Sequence, residues 1–264
     1  MIKKKISDLD ATKQIRLKVL EYCVRSGSGH LPSCFSIIEI LYGVYISETS
    51  RCNFDPCNVI VSKGHAAFAW YALLEVFGFL DSKDASRISM TGSKLFGHVP
   101  YLGNQKGFGF GSGSLGHGLP FSVGRALGKA LNGEISNVHV IVGDGEANEG
   151  TFWESLLLVA KFEKIFPMNL KILIDSNQSS ERAIPIKSLL DRIGAIFDFS
   201  FYYVESGHDA KLIASTLQQS AGSAVLVCNT IKGFPCAFLS QPEWHHRNWS
   251  PDNSDIIRNV ILNA

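Results

Sequence analysis

Two oxygen-bearing side chains raise the first chemical question. Asp144 stands in VGDGE and Asn177 in IDSNQ, 33 residues apart, and each follows a short apolar run. The runs Val138–Val142 and Leu170–Ile174 read as buried strands, with a helix over Thr151–Phe162 between them. In a strand–helix–strand unit both strand exits fall at one edge of a parallel sheet, where ligands bind. A carboxylate and a carboxamide brought together there can hold a hard divalent cation: Mg2+ first, with Ca2+ or Mn2+ as alternatives. Gly143 and Gly145 let the backbone approach a ligand, and the N-terminus of the following helix favours an anion. A lone GDG turn is commonly just a turn; the Asn exit at this spacing is what points to a cation with a diphosphate.

The elements needed to position such a site are legible around it. Helices are expected over Asp10–Val24, Phe35–Ile46, Ala66–Phe77, Leu119–Leu131 and Ala210–Ser220, with a helix or turn over Ile186–Ile193. Further strands are expected at Val59–Ser62, Phe201–Val204 and Ala224–Cys228. Ser93–Gly116 is glycine-rich and without a period, which marks a disordered or a functional loop. Strands alternating with helices give an α/β fold: a three-layer sandwich around a mostly parallel sheet. With 264 residues, 45% hydrophobic, residues 1–264 can form a single domain.

Composition narrows the function classes. The 25 basic and 24 acidic residues nearly cancel, so nothing favours nucleic acid as a partner, and the KKK run at Lys3–Lys5 is a solvated terminus. No apolar run approaches the ~18 residues of a membrane span, and Asp8 and Asp10 interrupt any signal peptide. Cys23, Cys34, Cys52, Cys57, Cys228 and Cys236 lack paired metal spacing, and reduced thiols fit a cytoplasmic protein. His139 inside a strand and His208 before a helix read as core histidines, and Phe152 and Trp153 as packing.

Further motifs occur in order along the chain: RSGSGH ending at His30, SKGHA with His65, GSGSLGHG over Gly111–Gly118, then GDGEANEG, DSNQ and PEWHHR. Together they resemble the amino-terminal half of transketolase, over roughly His30 to Arg247. The resemblance implies the thiamine diphosphate-binding fold, in its diphosphate-binding domain, and thiamine diphosphate with Mg2+ as cofactors. It implies Asp144, Asn177 and the carbonyl of Ser179 as metal ligands. It implies His30, His65, His98 and His245 as active-site histidines, with His65 and His245 also near the diphosphate. Gly113, Ser114, Leu115 and Gly116 would line the cofactor, Leu115 against its rings, with Gly143, Gly145 and Glu146 at the diphosphate. Glu149 and Glu154 match carboxylates that meet across a subunit interface. The implied reaction moves a two-carbon ketol unit from a ketose or ketose phosphate to an aldose.

The chain departs from the family pattern at several places. His117 stands where a glutamine is usual, Ser179–Arg182 replaces an apolar stretch with a glycine, and Lys164–Asn169 is longer than usual. PEWHH replaces PEWHG, which adds His246, an imidazole without a family role. A pyrimidine-binding half is missing, so the resemblance implies one subunit of a split enzyme. Its partner would be a pyrimidine-domain subunit of about 300 residues, in an α2β2 heterotetramer, with the active site at the interface and little or no activity in this chain alone. Competing expectations are the same chemistry in a nucleotide-sugar, glycan or natural-product pathway, a 2-oxo-acid dehydrogenase α-subunit, and a non-catalytic cofactor-binding regulator or scaffold.

Overall fold

The computed structural model describes residues 8–103, 105–179, 188, 190 and 200–264. Its strands are β1 (Ser28–Gly29), β2 (Val59–Val61), β3 (Val138–Gly143), β4 (Leu170–Ser176), β5 (Ser200–Val204), β6 (Ala224–Asn229) and β7 (Arg247–Asn248). Its helices are α1 (Asp8–Ser26), α2 (Leu31–Ser36), α3 (Ile38–Ser50), α4 (Ala67–Val76), α5 (Ser82–Ala85), α6 (Gly118–Leu131), α7 (Gly150–Glu163), α8 (Ala210–Gln219) and α9 (Pro251–Asn263). Short 3-10 turns join several of them.

The main sheet has five strands in the order β2-β3-β4-β6-β5, and every ladder in it is parallel. Its strands are apolar throughout because both faces are covered, and successive residues feed opposite cores. Val138, Val140 and Val142, with Ile172, Ile174, Val225 and Val227, pack on one side with Leu119 of α6 and Leu156 of α7. Ile141, Leu173, Leu226 and Val204 pack on the other, with residues of α1 to α4 and α8. This is the expected three-layer α/β sandwich, formed by residues whose only visible sequence signal is a continuous apolar run.

Two boundaries differ from expectation with a physical reason. The apolar stretch Phe35–Ile46 is two helices, because Ile37 (φ −105°, ψ 1°) breaks the first turn and redirects the chain. The break leaves the Ser36 hydroxyl 2.8 Å from Asp175 Oδ2 at the top of β4. The loop before α6 is pinned rather than free. The Trp70 indole donates to the Gly107 carbonyl at 2.8 Å, and the Tyr71 hydroxyl lies 3.0 and 2.9 Å from the Phe96 and His98 carbonyls. Sequence reading overlooked α9, although Ser250 caps its start with Pro251 in the first turn, and Ile257 and Ile261 bury one stripe against α1. The expected helix or turn at Ile186–Ile193 and the departures at Ser180–Arg182 lie outside the described residues, apart from Ser188 and Leu190.

α3 and α8 cross closely at Gly43. A Cβ there would lie 2.7 Å from Ile213 Cγ2 and 3.1 Å from the Ala210 carbonyl. Gly43→Ala should therefore destabilise by about 1–3 kcal/mol through overpacking. The same change in an open helix interior stabilises, so thermal unfolding of the variant reads the sign directly.

Candidate functional site

Parallel pairing sets the geometry. The β3–β4 ladder places Gly143 opposite Asp175. The chain leaves both strands side by side, and Asp144 and Asn177 follow within two residues. The exits of β2 and β6 bring Lys63, His65 and Lys232 to the same edge. Together with the loop before α6, these segments enclose a cavity of about 650 Å3. Asp144, Asn177 and Ser179 line it, as do His30, His65, His98 and His245. So do Gly113, Leu115, Gly143, Gly145, Glu146 and Glu149, whereas Ser114, Gly116 and Glu154 are not in its lining.

Local structure explains several placements. Gly143 has an ordinary extended backbone (φ −86°, ψ 153°), and a 3-10 turn, Asp144–Asn148, separates it from α7. α7 begins at Gly150, one residue before the expected start at Thr151. Glu146 is what holds the turn. Its carboxylate accepts the Gly143 amide at 2.8 Å, the Gly116 amide at 3.0 Å and the Ser62 hydroxyl. One buried carboxylate thus ties the glycine-rich loop, the β2 exit and the β3 exit together. Burial raises its pKa despite those donors. Gly64 permits a close approach in the site, since a Cβ there would meet Ser112 Oγ at 2.6 Å and His98 Cδ2 at 2.7 Å.

The donor set suits a hard cation. The Asn177 amide is oriented from below, because its Nδ2 donates to Asp175 Oδ2 at 2.9 Å. That leaves Oδ1 as the oxygen available to a ligand, and it also accepts the Ser179 amide at 3.1 Å. Gln178 between them adopts φ 60°, a left-handed conformation that turns the chain toward the cavity and costs a non-glycine residue strain energy. Asp144 Oδ1 accepts the Gly145 amide at 2.8 Å. A carboxylate, a carboxamide oxygen and a carbonyl are all oxygen donors, and Mg2+ takes few of these from protein and the rest from phosphate and water. The residues fit Mg2+ with a diphosphate.

Sequence reasoning missed the charges beneath this set. Asp175 is fully buried and pairs with Lys63, and the Thr230 and Ser36 hydroxyls donate to it. Burial raises its carboxyl, but the Lys63 charge and the hydrogen bonds outweigh that and hold it below the ordinary carboxylate value. Lys232 Nζ donates to His245 Nδ1 at 2.7 Å and lies 3.4 Å from Ser179 Oγ. The neutral His245 ring therefore carries its hydrogen on Nε2. Burial and then Lys63 lower the Lys232 pKa, while Asp144 and Asp175 oppose the change.

The imidazoles form one cluster. His30 lies 5.2 Å from His65 and 5.3 Å from His245, ring centre to ring centre. Burial, then His246 and His245, push His30 down to about 4, and burial with Lys63 pushes His65 down to about 2. Both rings are neutral near pH 7 and can donate and accept hydrogen bonds. A depressed folded pKa means this contribution to stability is complete above the unfolded value of about 6.5 and is lost as pH falls. Urea unfolding should show stability declining between about pH 6.5 and 5, above the carboxylate range. A His30→Asn/His65→Asn double variant should flatten that slope.

His208 and His139 lie outside the cavity lining. His208 Nδ1 faces Glu39 Oε2 at 3.1 Å, its Nε2 accepts the Ile231 amide at 2.8 Å, and the ring stacks on Phe234. His139 is buried with Nε2 3.6 Å from Glu48, and burial pushes it down to about 3. Among the described residues no helix is long and apolar enough to cross a membrane.

Comparison with known proteins agrees with this geometry. The family described as transketolase, thiamine diphosphate binding domain, matches residues 7–258. The chain is 31% identical over 249 residues to an apulose-4-phosphate transketolase subunit of Actinobacillus succinogenes, covering 89% of this chain and 88% of that one. It is 26% identical to the 6-deoxy-6-sulfo-D-fructose transketolase subunit SqwG of a Clostridium species, covering 85% and 84%. The fold superposes on transketolase from Leishmania mexicana with a TM-score of 0.77 at 19% identity, covering 97% of this chain but 44% of that one. The chain thus spans most of the subunit-sized relatives and less than half of the longer enzyme. A family match over nearly the whole chain, on a fold that gathers Asp144, Asn177 and the imidazoles at one sheet edge, means that this chain belongs to the transketolase family, in its thiamine diphosphate binding domain.

Proposed function

We propose that this chain is the diphosphate-binding subunit of a two-subunit, Mg2+-dependent transketolase in the cytoplasm. It would move a two-carbon ketol unit from a ketose or ketose phosphate to an aldose. The observation that carries the reading is the cavity itself, where oxygen donors from two neighbouring strand exits and a cluster of neutral imidazoles face one space. Asp144, Asn177 and the Ser179 carbonyl would hold the cation. Lys232 and Lys63 would offset diphosphate charge, and Gly113 and Leu115 would line the cofactor. When bound, thiamine diphosphate supplies a nucleophilic ring carbon and an electron sink for breaking the bond beside a ketone. His30, His65, His98 and His245 would orient substrate hydroxyls and exchange protons with them, which neutral imidazoles can do in either direction.

The subunit reading has its own support. Glu154, Leu157 and Leu158 share one exposed face of α7 at i, i+3, i+4 spacing, and the two leucines are 56% and 40% exposed. Beside them on α6, Phe121 is exposed, and Gly124 and Gly128 open onto empty space. An apolar face of this kind fits subunit contact, with Glu149 and Glu154 at it and an α2β2 assembly as its outcome. The relatives matched over most of their own length bear the names of apulose 4-phosphate and 6-deoxy-6-sulfo-D-fructose enzymes, which favours a specialised sugar here too.

The test is reconstitution. The purified chain alone is expected to show no ketol transfer, and adding the pyrimidine-domain subunit that co-purifies from its own cells should restore it. Transfer by the single chain would overturn the split-enzyme reading.

A further inference from the structure

The loop that carries Lys232 is held by its backbone. Ile231 beside it is 54% exposed, so that side chain packs little surface, whereas Lys232 is buried. The Thr230 amide donates to the Ser176 carbonyl at 3.1 Å, and the Gly233 amide to the Pro32 carbonyl at 3.0 Å. Between these two bonds, the Ile231 amide donates to a side chain, His208 Nε2, at 2.8 Å.

His208 can accept that bond in one tautomer only. A backbone amide only donates, so Nε2 is bare and the ring hydrogen sits on Nδ1. Nδ1 faces Glu39 Oε2 at 3.1 Å, and Arg16 pairs with Glu39 Oε1 at 2.6 Å. Arg16 Nε returns to the Phe234 carbonyl at 3.2 Å, and the Phe234 ring stacks on His208 with centres 4.0 Å apart. The contacts thus close on the loop from which they started. Arg16 and Glu39 are each 4% exposed, so this support is interior structure and not a surface meeting. Gly207 allows the approach: its amide donates to the Asn229 carbonyl at 2.8 Å, and a Cβ there would lie 2.6 Å from that oxygen. Arg16, Glu39, His208 and Phe234 line a separate cavity of about 390 Å3, and none of them lines the candidate site.

We propose that His208 is a positioning residue for ketol transfer: it fixes the Ile231 amide, through it the place of Lys232, and through Lys232 the tautomer of His245. An ammonium only donates, so Lys232 at His245 Nδ1 leaves that ring one further polar group, an Nε2–H donor for a substrate oxygen. Without Lys232 in place, a neutral imidazole would also populate the Nδ1–H form, in which Nε2 accepts. A residue outside the cavity therefore decides what one imidazole inside it offers. The inference rests on the transketolase reading for its functional meaning and goes beyond it by assigning a role to a histidine away from the site.

The test follows nitrogen–proton correlations of the imidazoles by NMR, on the full chain well below its melting temperature. The pH is held at about 8, above the ordinary imidazole range. In the wild type, His208 should show the Nδ1–H pattern and His245 the Nε2–H pattern. His208→Phe keeps a stacking ring and removes the acceptor. His245 should then show a mixture of both tautomers, and thiamine diphosphate with Mg2+ should bind about 2–10-fold more weakly, as expected for one hydrogen bond. His208→Gln returns a side-chain oxygen to the Ile231 amide and should restore both readouts. Lys232→Met should free the His245 tautomer while His208 stays Nδ1–H. A merely structural His208 would lower the melting temperature of His208→Phe and leave the His245 pattern as it was. That outcome, a mixed His245 pattern in the wild type, an unchanged pattern in Lys232→Met, or a loss as large in His208→Gln would overturn the proposal. The tautomers are read without cofactor. A wild-type chain that takes up no thiamine diphosphate therefore sinks the transketolase reading, while the hold of His208 on His245 is decided separately.

Discussion

Asp144→Ala is expected to bind thiamine diphosphate at least about 100-fold more weakly than the parent chain, with no remaining Mg2+ dependence. Asp144 lines the cavity next to Gly145 and supplies the carboxylate of the proposed metal set. Loss of groups that merely support metal ligands costs about 10–100-fold in metal affinity, so loss of an anionic ligand should lie at or beyond the upper end. The remaining oxygens, from Asn177 and Ser179, are neutral, and Lys63 and Lys232 nearby repel a cation left without a carboxylate. Calorimetric titration with and without Mg2+ reads the effect. The fold should survive, because the Glu146 contacts to Gly143, Gly116 and Ser62 hold the turn without Asp144. Unchanged, Mg2+-dependent affinity in the variant would remove Asp144 from the metal site.

The second large effect lies one layer below. Asp175→Ala would leave the Lys63 ammonium buried with only the Ser33 carbonyl and the Ser36 hydroxyl for partners, at 3.3 and 3.0 Å. Removing one member of a buried ion pair costs about 3–5 kcal/mol. For a chain of this length that is a fall in melting temperature of roughly 6–20 °C. The change also frees the Asn177 amide, whose Nδ2 is fixed by Asp175, so cofactor affinity should fall as well. An apolar replacement of both partners, Lys63→Met with Asp175→Leu, should be less destabilising than Asp175→Ala, because no unpaired charge remains. It should recover stability but not cofactor affinity. A double variant as unstable as the single one would show that packing, not charge, governs this position.

These two residues mark the boundary of what the sequence carries. Asp144 and Asn177 were legible because local patterns placed both at strand ends, and parallel pairing of consecutive strands forces those ends together. The imidazoles at 30, 65, 98 and 245 were legible only through motif resemblance, since nothing local states that His245 and His30 lie within 5.3 Å. Asp175 and Lys63 went unread because each looks like an ordinary polar residue at a strand edge. Their partnership depends on α2 ending at Ser36 and on β2 and β4 flanking β3.

By itself the sequence determined the alternation of apolar strands and helices, the α/β class and the oxygen donors at adjacent strand exits. Hydrophobic periodicity and strand-to-strand connection are short-range properties, written within a single strand–helix–strand unit. Tertiary structure alone decided that β6 lies between β4 and β5. That order brings Thr230 to Asp175 and Lys232 to Ser179 and His245. It also decided that a two-residue ladder near each end of the chain sets His246 on His30. Strand order and strap pairing arise from how whole faces bury against one another, and no local stretch of residues carries that information.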